Sequence, residues 1–241
     1  MKINNYFSRN YSRNLRSTNS IKIIVIHYTG MQSERESIIR LCNLKSKVSS
    51  HFVISTSGKI YRLVHDNKIA WHAGKSCWGK YKNLNKNSIG IELVNKGHKY
   101  GYTNFKKKQI LSLIKICRVL IKKYKVKKRN IVGHSDIAPL RKIDPGEKFQ
   151  WEFCAKNNIG IWHNYEPKFL KKFRNIKVFS KKDKSKFINN LRRIGYCFSS
   201  KNKSFLNKII KAFQRHFRKE LINGILDQEC FTIAQNLTKK L

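Results

Sequence analysis

The stretch GHSDIAPLRKIDPG, residues 133–146, sets His134, Lys142 and Asp144 on one segment stiffened by two prolines. The whole chain holds only 13 acidic residues and 3 prolines, so this density marks the segment for chemistry. A second histidine, His27, closes the run IKIIVIHY, and the end of a buried strand is where a side chain can project into a cleft. Two histidines and one carboxylate match a catalytic zinc set, which uses three protein ligands and keeps a fourth position for water. A zinc ion there would bring the pKa of that water toward neutrality and polarise a bound carbonyl. The missing base is Glu92, the only acidic residue in the otherwise apolar or neutral strand SIGIELVN. An unpaired carboxylate is costly to bury, so Glu92 should face a polar cleft or a partner. Lys142, two residues before Asp144, would point at the same cleft and stabilise an oxyanion. These groups together suffice to hydrolyse an amide.

Each residue alone has a plainer reading. His27 can be a packed strand-end histidine, and Asp144 a turn residue ahead of Pro145 and Gly146. Glu92 can pair with one of the many lysines, and Lys142 can be solvated. It is the combination that argues for a site, and the combination needs a scaffold.

The scaffold is legible as alternating strands and helices. Residues 1–20 are polar and read as a flexible tail. IKIIVIHY, 21–28, is a β-branched run typical of a buried strand. Ser33 and Glu36 make a capping box ahead of a helix with Ile38, Ile39 and Cys42 on its apolar face. HFVISTSGKIYRLV, 51–64, is a hairpin turning at Ser57-Gly58. SIGIELVN, 88–95, is a further strand. Residues 106–126 carry Ile110, Leu113, Ile114, Cys117, Leu120, Ile121 and Tyr124 at helical spacing. NIVGHSD is a short strand that delivers His134. The expected fold is an α/β domain over residues 21–165, a central mixed β-sheet flanked by helices. A basic connector, 166–182, leads to a small three-helix domain, 183–241, whose size makes an independent core marginal. Ala212, Phe213 and Phe217 fall on one helix face and read as its core.

Bulk composition narrows the classes further. The 241-residue chain has a formal net charge of +40, from 53 Lys+Arg against 13 Asp+Glu. Such a field attracts polyanions in general, but the lysines are strewn along the chain and fit an A- and T-rich coding bias. With 40% hydrophobic residues the chain is not disordered. Six cysteines without a C-x-x-C pair argue against a cysteine zinc site or a dense disulfide framework, and Cys42 and Cys117 read as core thiols. No apolar run is long enough to span a membrane, and the N-terminus lacks the apolar region of a secretory signal.

The segments IVIHYTG, SSHFVIST, GKIYRLV, AWHAG, LNKNSIGIELVN, GHSDIAPLRKIDPG and FQWEFCAKNNIGIW follow one another over about 140 residues. In kind and order they resemble the zinc-dependent N-acetylmuramoyl-L-alanine amidases of the amidase type 2 family. The resemblance implies one zinc ion on His27, His134 and Asp144, with Glu92 as catalytic acid/base and Lys142 assisting the transition state. It implies cleavage of the amide between N-acetylmuramic acid, or its 1,6-anhydro form, and L-alanine of the stem peptide. Related peptidoglycan recognition proteins often carry Cys at the third ligand position, so Asp144 groups this chain with the bacterial enzymes. The C-terminal part, with AFQRHF and GILDQE, is similar to the three-helix peptidoglycan-binding domain. Weaker expectations concern substrate contacts: Trp71 as a ring surface, His72 and His51 as cleft or ligand-supporting groups, and Asn95 as a hydrogen-bonding group. Asp136 is placed to cap or orient the His134 loop.

Two rivals remain at this stage. One is a non-catalytic peptidoglycan-binding protein on the same fold, which the intact ligands and Glu92 oppose. The other is a nucleic-acid binder, supported by charge alone and by no recognition motif. The expected partner is therefore peptidoglycan or a muropeptide, the expected state a monomer. Compartment stays open between the cell envelope and the cytoplasm.

Overall fold

The computed structural model describes residues 2–178, 180–197 and 203–241. Met1 of the expected tail, Phe179 of the expected connector and residues 198–202 of the expected helical segment lie outside the described residues. The strands are β1 (Ile3–Asn5), β2 (Tyr11–Ser12), β3 (Ile23–Tyr28), β4 (Phe52–Ile54), β5 (Ile60–Arg62), β6 (Ile69–Ala70), β7 (Cys77–Trp78), β8 (Tyr81–Lys82), β9 (Ser88–Leu93) and β10 (Ile131–Gly133). The helices are α1 (Glu34–Cys42), α2 (Lys107–Tyr124), α3 (His134–Ile137), α4 (Trp151–Lys156), α5 (Pro167–Lys171), α6 (Lys181–Ile194), α7 (Lys203–Phe217) and α8 (Gln228–Lys239).

Six strands form one mixed sheet in the order β1-β5-β4-β9-β3-β10. Among the described residues, only the β4–β5 hairpin pairs antiparallel within it. The β3 run lies inside the sheet between β9 and β10, buried on both faces, which is why it reads as continuous β-branched residues. Its side chains still alternate. Ile24 and Ile26 join Ile89, Ile91 and the α2 stripe in one core. Ile23 and Val25 face the other way, into a core completed by Phe187, Leu191, Phe213 and Ile233 of the C-terminal helices. His27 belongs by parity to this second face.

Two expectations need correction. The first twenty residues are not a loose tail: β1 extends the sheet beside β5, β2 pairs with β6, and Arg16 is buried. The guanidinium of Arg16 donates to the carbonyls of Asp66, Asn85, Lys86 and Ser88, and edge-strand pairing does not require an apolar sequence. The α1 face differs too. Ser33 does cap the helix at the Glu36 N–H, but Ser37 and Leu41 are buried while Ile39 is exposed, because the Ser8–Asn10 segment covers that side. The C-terminal helices, expected to be too small for an independent core, do not carry a self-contained one. Their apolar residues share one cluster with Val132, Ile137, Trp78 and Leu84. A disulfide between Cys77 and Cys197 adds a covalent tie, and the connector contains the short helix α5.

Candidate active site

Register assembles the site. In the parallel β3–β9 pair, His27 lies opposite Glu92, so both side chains leave the same face as neighbours. In the β3–β10 pair Ile26 lies opposite Gly133, which brings His134 to the row beside His27. Three side chains from distant parts of the sequence thus meet at the carboxyl ends of parallel strands, where open α/β sheets place their ligands. Asp144 returns to them because the Ser135 N–H donates to the Asp144 carbonyl at 2.8 Å.

His27 Nδ1 lies 3.0 Å from His134 Nδ1, and each lies 3.1 Å from Asp144 Oδ2. The other ring nitrogens show which proton each ring keeps. His134 Nε2 meets the Ala73 carbonyl at 3.2 Å and must donate, leaving Nδ1 with its lone pair. For His27 the proton position is fixed through two more residues, Ser88 and His72. Ser88 gives its hydroxyl proton to the Leu84 carbonyl at 2.6 Å, so it accepts from His72 Nε2 at 3.2 Å. His72 Nδ1 is then an acceptor, and His27 Nε2 donates to it at 3.0 Å. His27 Nδ1 is also bare. Three lone-pair donors facing one another at this distance repel unless they share a cation. Ligands at 2.0–2.2 Å from one tetrahedral ion stand roughly 3.3–3.6 Å apart, so the triangle needs to open by only a few tenths of an ångström to seat a divalent metal.

Burial agrees with that charge pattern. Desolvation and the neighbouring His134 push His27 down to about 4, which keeps it neutral and able to ligate. Glu92 moves the other way: burial and the Asp144 charge push it up to about 8, with Lys142 opposing. Glu92 Oε2 is buried without a hydrogen-bond partner, an expensive state that a substrate, water or metal-borne group would relieve. The cleft over these groups measures about 720 Å³ and is lined also by Lys142, Trp71, Tyr100 and Arg141.

The other expected residues divide. Trp71 lines the cleft, its indole N–H held by Ser12 of β2. His72 lines it too, but both its nitrogens are spent between His27 and Ser88. Its ring packs so close to β9 that a Cβ at Gly90 would lie 2.4 Å from it. Asp136 caps the His134 turn, accepting from the Gly133 N–H at 2.7 Å. His51 and Asn95 are corrected as substrate contacts. His51 is fully buried outside the cleft, accepting from the Gly90 N–H and touching Arg16. Asn95 spends its amide on the Thr103 carbonyl and the Gly97 N–H. Sequence reasoning missed Ser88 and Arg16. A serine opening a strand and an arginine in a polar segment carry no local signal of such roles.

A buried triangle of side chains that could hold a metal ion, beside a carboxylate in a cleft at the strand ends, is an arrangement suited to hydrolysis. The chain belongs to the N-acetylmuramoyl-L-alanine amidase family, whose pattern matches residues 17–147. It is 37% identical over 236 residues to the N-acetylmuramoyl-L-alanine amidase AmiD of Escherichia coli, covering 91% of this chain and 83% of that protein. It is 42% identical over 107 residues to the 1,6-anhydro-N-acetylmuramyl-L-alanine amidase AmpD of Haemophilus influenzae, covering 44% of this chain and 56% of that one. Among solved structures, AmiD from E. coli in complex with anhydro-N-acetylmuramic acid-L-Ala-D-gamma-Glu-L-Lys superposes with a TM-score of 0.81 at 33% identity, over 96% of this chain and 93% of the other. AmpDH3 from Pseudomonas aeruginosa, in complex with anhydromuramic pentapeptide, gives 0.82 at 28% identity over 96% of both chains.

Proposed function

We propose that the protein is a zinc amidase that cuts the amide between N-acetylmuramic acid, ordinary or 1,6-anhydro, and the L-alanine of the stem peptide. The observation that carries this reading is the triangle of bare donors on His27, His134 and Asp144 with Glu92 opposite His27. Zinc held there would supply Lewis acidity toward the scissile carbonyl and toward water. Glu92 takes the proton from the attacking water and passes it to the departing alanine nitrogen. A carboxyl poised near neutral pH suits both halves of that transfer. The Lys142 ammonium offsets the negative charge that grows on the carbonyl oxygen. Arg141 and Lys142 on the cleft wall suit a stem peptide rich in carboxylates.

The helices α6–α8 are the proposed contact to intact peptidoglycan. The Cys77–Cys197 disulfide supports an oxidising compartment, so the envelope is the favoured location. The protein is proposed to act as a monomer. Mass spectrometry of products from soluble anhydro-muropeptides and from intact sacculi tests the reading. Free stem peptide should appear and vanish with chelator. Binding to sacculi without any released peptide would instead favour a recognition protein.

A further inference from the structure

Asp136 sits two residues beyond the ligand His134, and its carboxylate gathers three donors. Oδ2 accepts from the Gly133 N–H and from His216 Nδ1, each at 2.7 Å. Oδ1 accepts from the Tyr196 hydroxyl at 2.7 Å. Gly133 ends β10, but Tyr196 follows α6 and His216 lies on α7. All three side chains are buried, at 1% exposure for Asp136, 2% for Tyr196 and 4% for His216. The His216 ring has no freedom to swing away: it stacks on Trp151 with ring centres 3.8 Å apart and on Phe217 at 4.0 Å. Tyr196 packs edge-on against Trp78 at 5.0 Å.

The element held by this carboxylate is the one that carries the chemistry. Helix α3 begins at His134 itself. Its Ser135 N–H anchors the Asp144 backbone, and the Ala138 carbonyl at its end accepts the Lys142 N–H at 3.1 Å. The opposite side is closed by Pro145, whose Cδ leaves only 2.7 Å to a Cβ at Gly133. Any rotation of α3 therefore moves two metal donors and the cleft cation together.

We infer that the C-terminal helices are part of the metal centre's support: His216 and Tyr196 are positioning residues that, through Asp136, set helix α3 and hence His134, Asp144 and Lys142. This rests on the proposal that His27, His134 and Asp144 hold zinc. It differs from a role in wall contact alone, because it must appear with small soluble substrate.

The test uses the full chain. Zinc dissociation constants by competition with a chromogenic chelator, thermal midpoints, and kcat and KM on a soluble muropeptide are measured for wild type and variants. His216→Ala should bind zinc about tenfold more weakly, the lower end for lost outer-shell partners, and lower kcat more than it raises KM. His216→Asn, which restores a donor near Nδ1, should recover most of the loss. Tyr196→Phe keeps the ring and should give a smaller loss in the same direction. Phe213→Leu, a core change without a bond to Asp136, should lower the thermal midpoint and leave zinc affinity alone. The inference is overturned if folded His216→Ala binds zinc like wild type, or if Phe213→Leu weakens zinc as much for the same midpoint drop. Should His216→Ala fail to fold, unchanged zinc affinity in Tyr196→Phe overturns it. If wild type and His134→Ala bind zinc equally poorly, the underlying metal assignment has failed instead.

Discussion

At the scale of single residues, the site works through proton placement. Leu84, Ser88, His72 and His27 form a chain in which each proton position follows from the one before, and its result is a bare Nδ1 on His27. Ser88→Ala removes the acceptor that fixes the His72 tautomer. Zinc affinity should then fall about tenfold, in line with other outer-shell losses, and a chelator titration reads it. Equal affinity would show that His72 orients itself. Glu92 has a separate role and should separate experimentally. Glu92→Gln keeps shape but neither takes nor gives the proton, so kcat should drop by about 10²–10⁴. Zinc content, measured by atomic absorption, should stay at the wild-type level.

Elements matter through what they bury. The N-terminal segment is fastened by Arg16, whose charge is buried against four backbone carbonyls. Burial pushes its pKa down to about 10, with Asp66 opposing, and the group stays charged at neutral pH. Arg16→Ala leaves those carbonyls without their donor and should cost about 2–4 kcal/mol, since hydrogen bonds to charged groups are among the stronger ones. A urea titration would show it as a lower midpoint. A variant as stable as wild type would mean that the segment is held by its strands alone. In α7 and α8, Glu229 is fully buried and bonds Arg174 twice at 2.7 Å, with Arg218 at 3.8 Å. It ties α8 to the turn that follows α5, much as Asp136 anchors α3.

On the whole-molecule scale, the sheet and the C-terminal helices are joined by two kinds of long-range tie besides the bonds of Asp136 to Tyr196 and His216. The first is apolar, the cluster running from Val25 to Phe213. The second is the disulfide across 120 residues. A Cys77→Ser/Cys197→Ser variant should lose up to about 4–5 kcal/mol by the chain-entropy argument for so long a loop, seen as a shifted denaturation midpoint under oxidising conditions. Acid should loosen the whole structure as well. Burial, aided by the Arg16 charge, pushes His51 down to about 3, and burial pushes His163 down to about 4, against 6.5 unfolded. The unfolded chain then binds more protons, so stability is full above about 6.5 and is lost as pH falls toward 4 and below. His51→Gln should flatten part of that fall in a pH series of urea midpoints. An unchanged slope would remove His51 from the explanation.

Local periodicity determined much of this protein. A β-branched run announces β3, a helical stripe announces α2, and the polar residues interrupting such patterns, His27 and Glu92, stand out because burying them has a cost. The segment from Gly133 to Gly146 declared itself by residue types alone. What the chain could not state locally is which side chains face one another. His51 and His72 look alike in sequence, yet one is sealed behind Arg16 and the other borders the cleft. The opposition of His27 to Glu92, the reach of His216 to Asp136 and the pairing of Cys77 with Cys197 depend on strand register and on packing between segments far apart in the chain. Those are settled only when the apolar faces of the whole molecule are buried together.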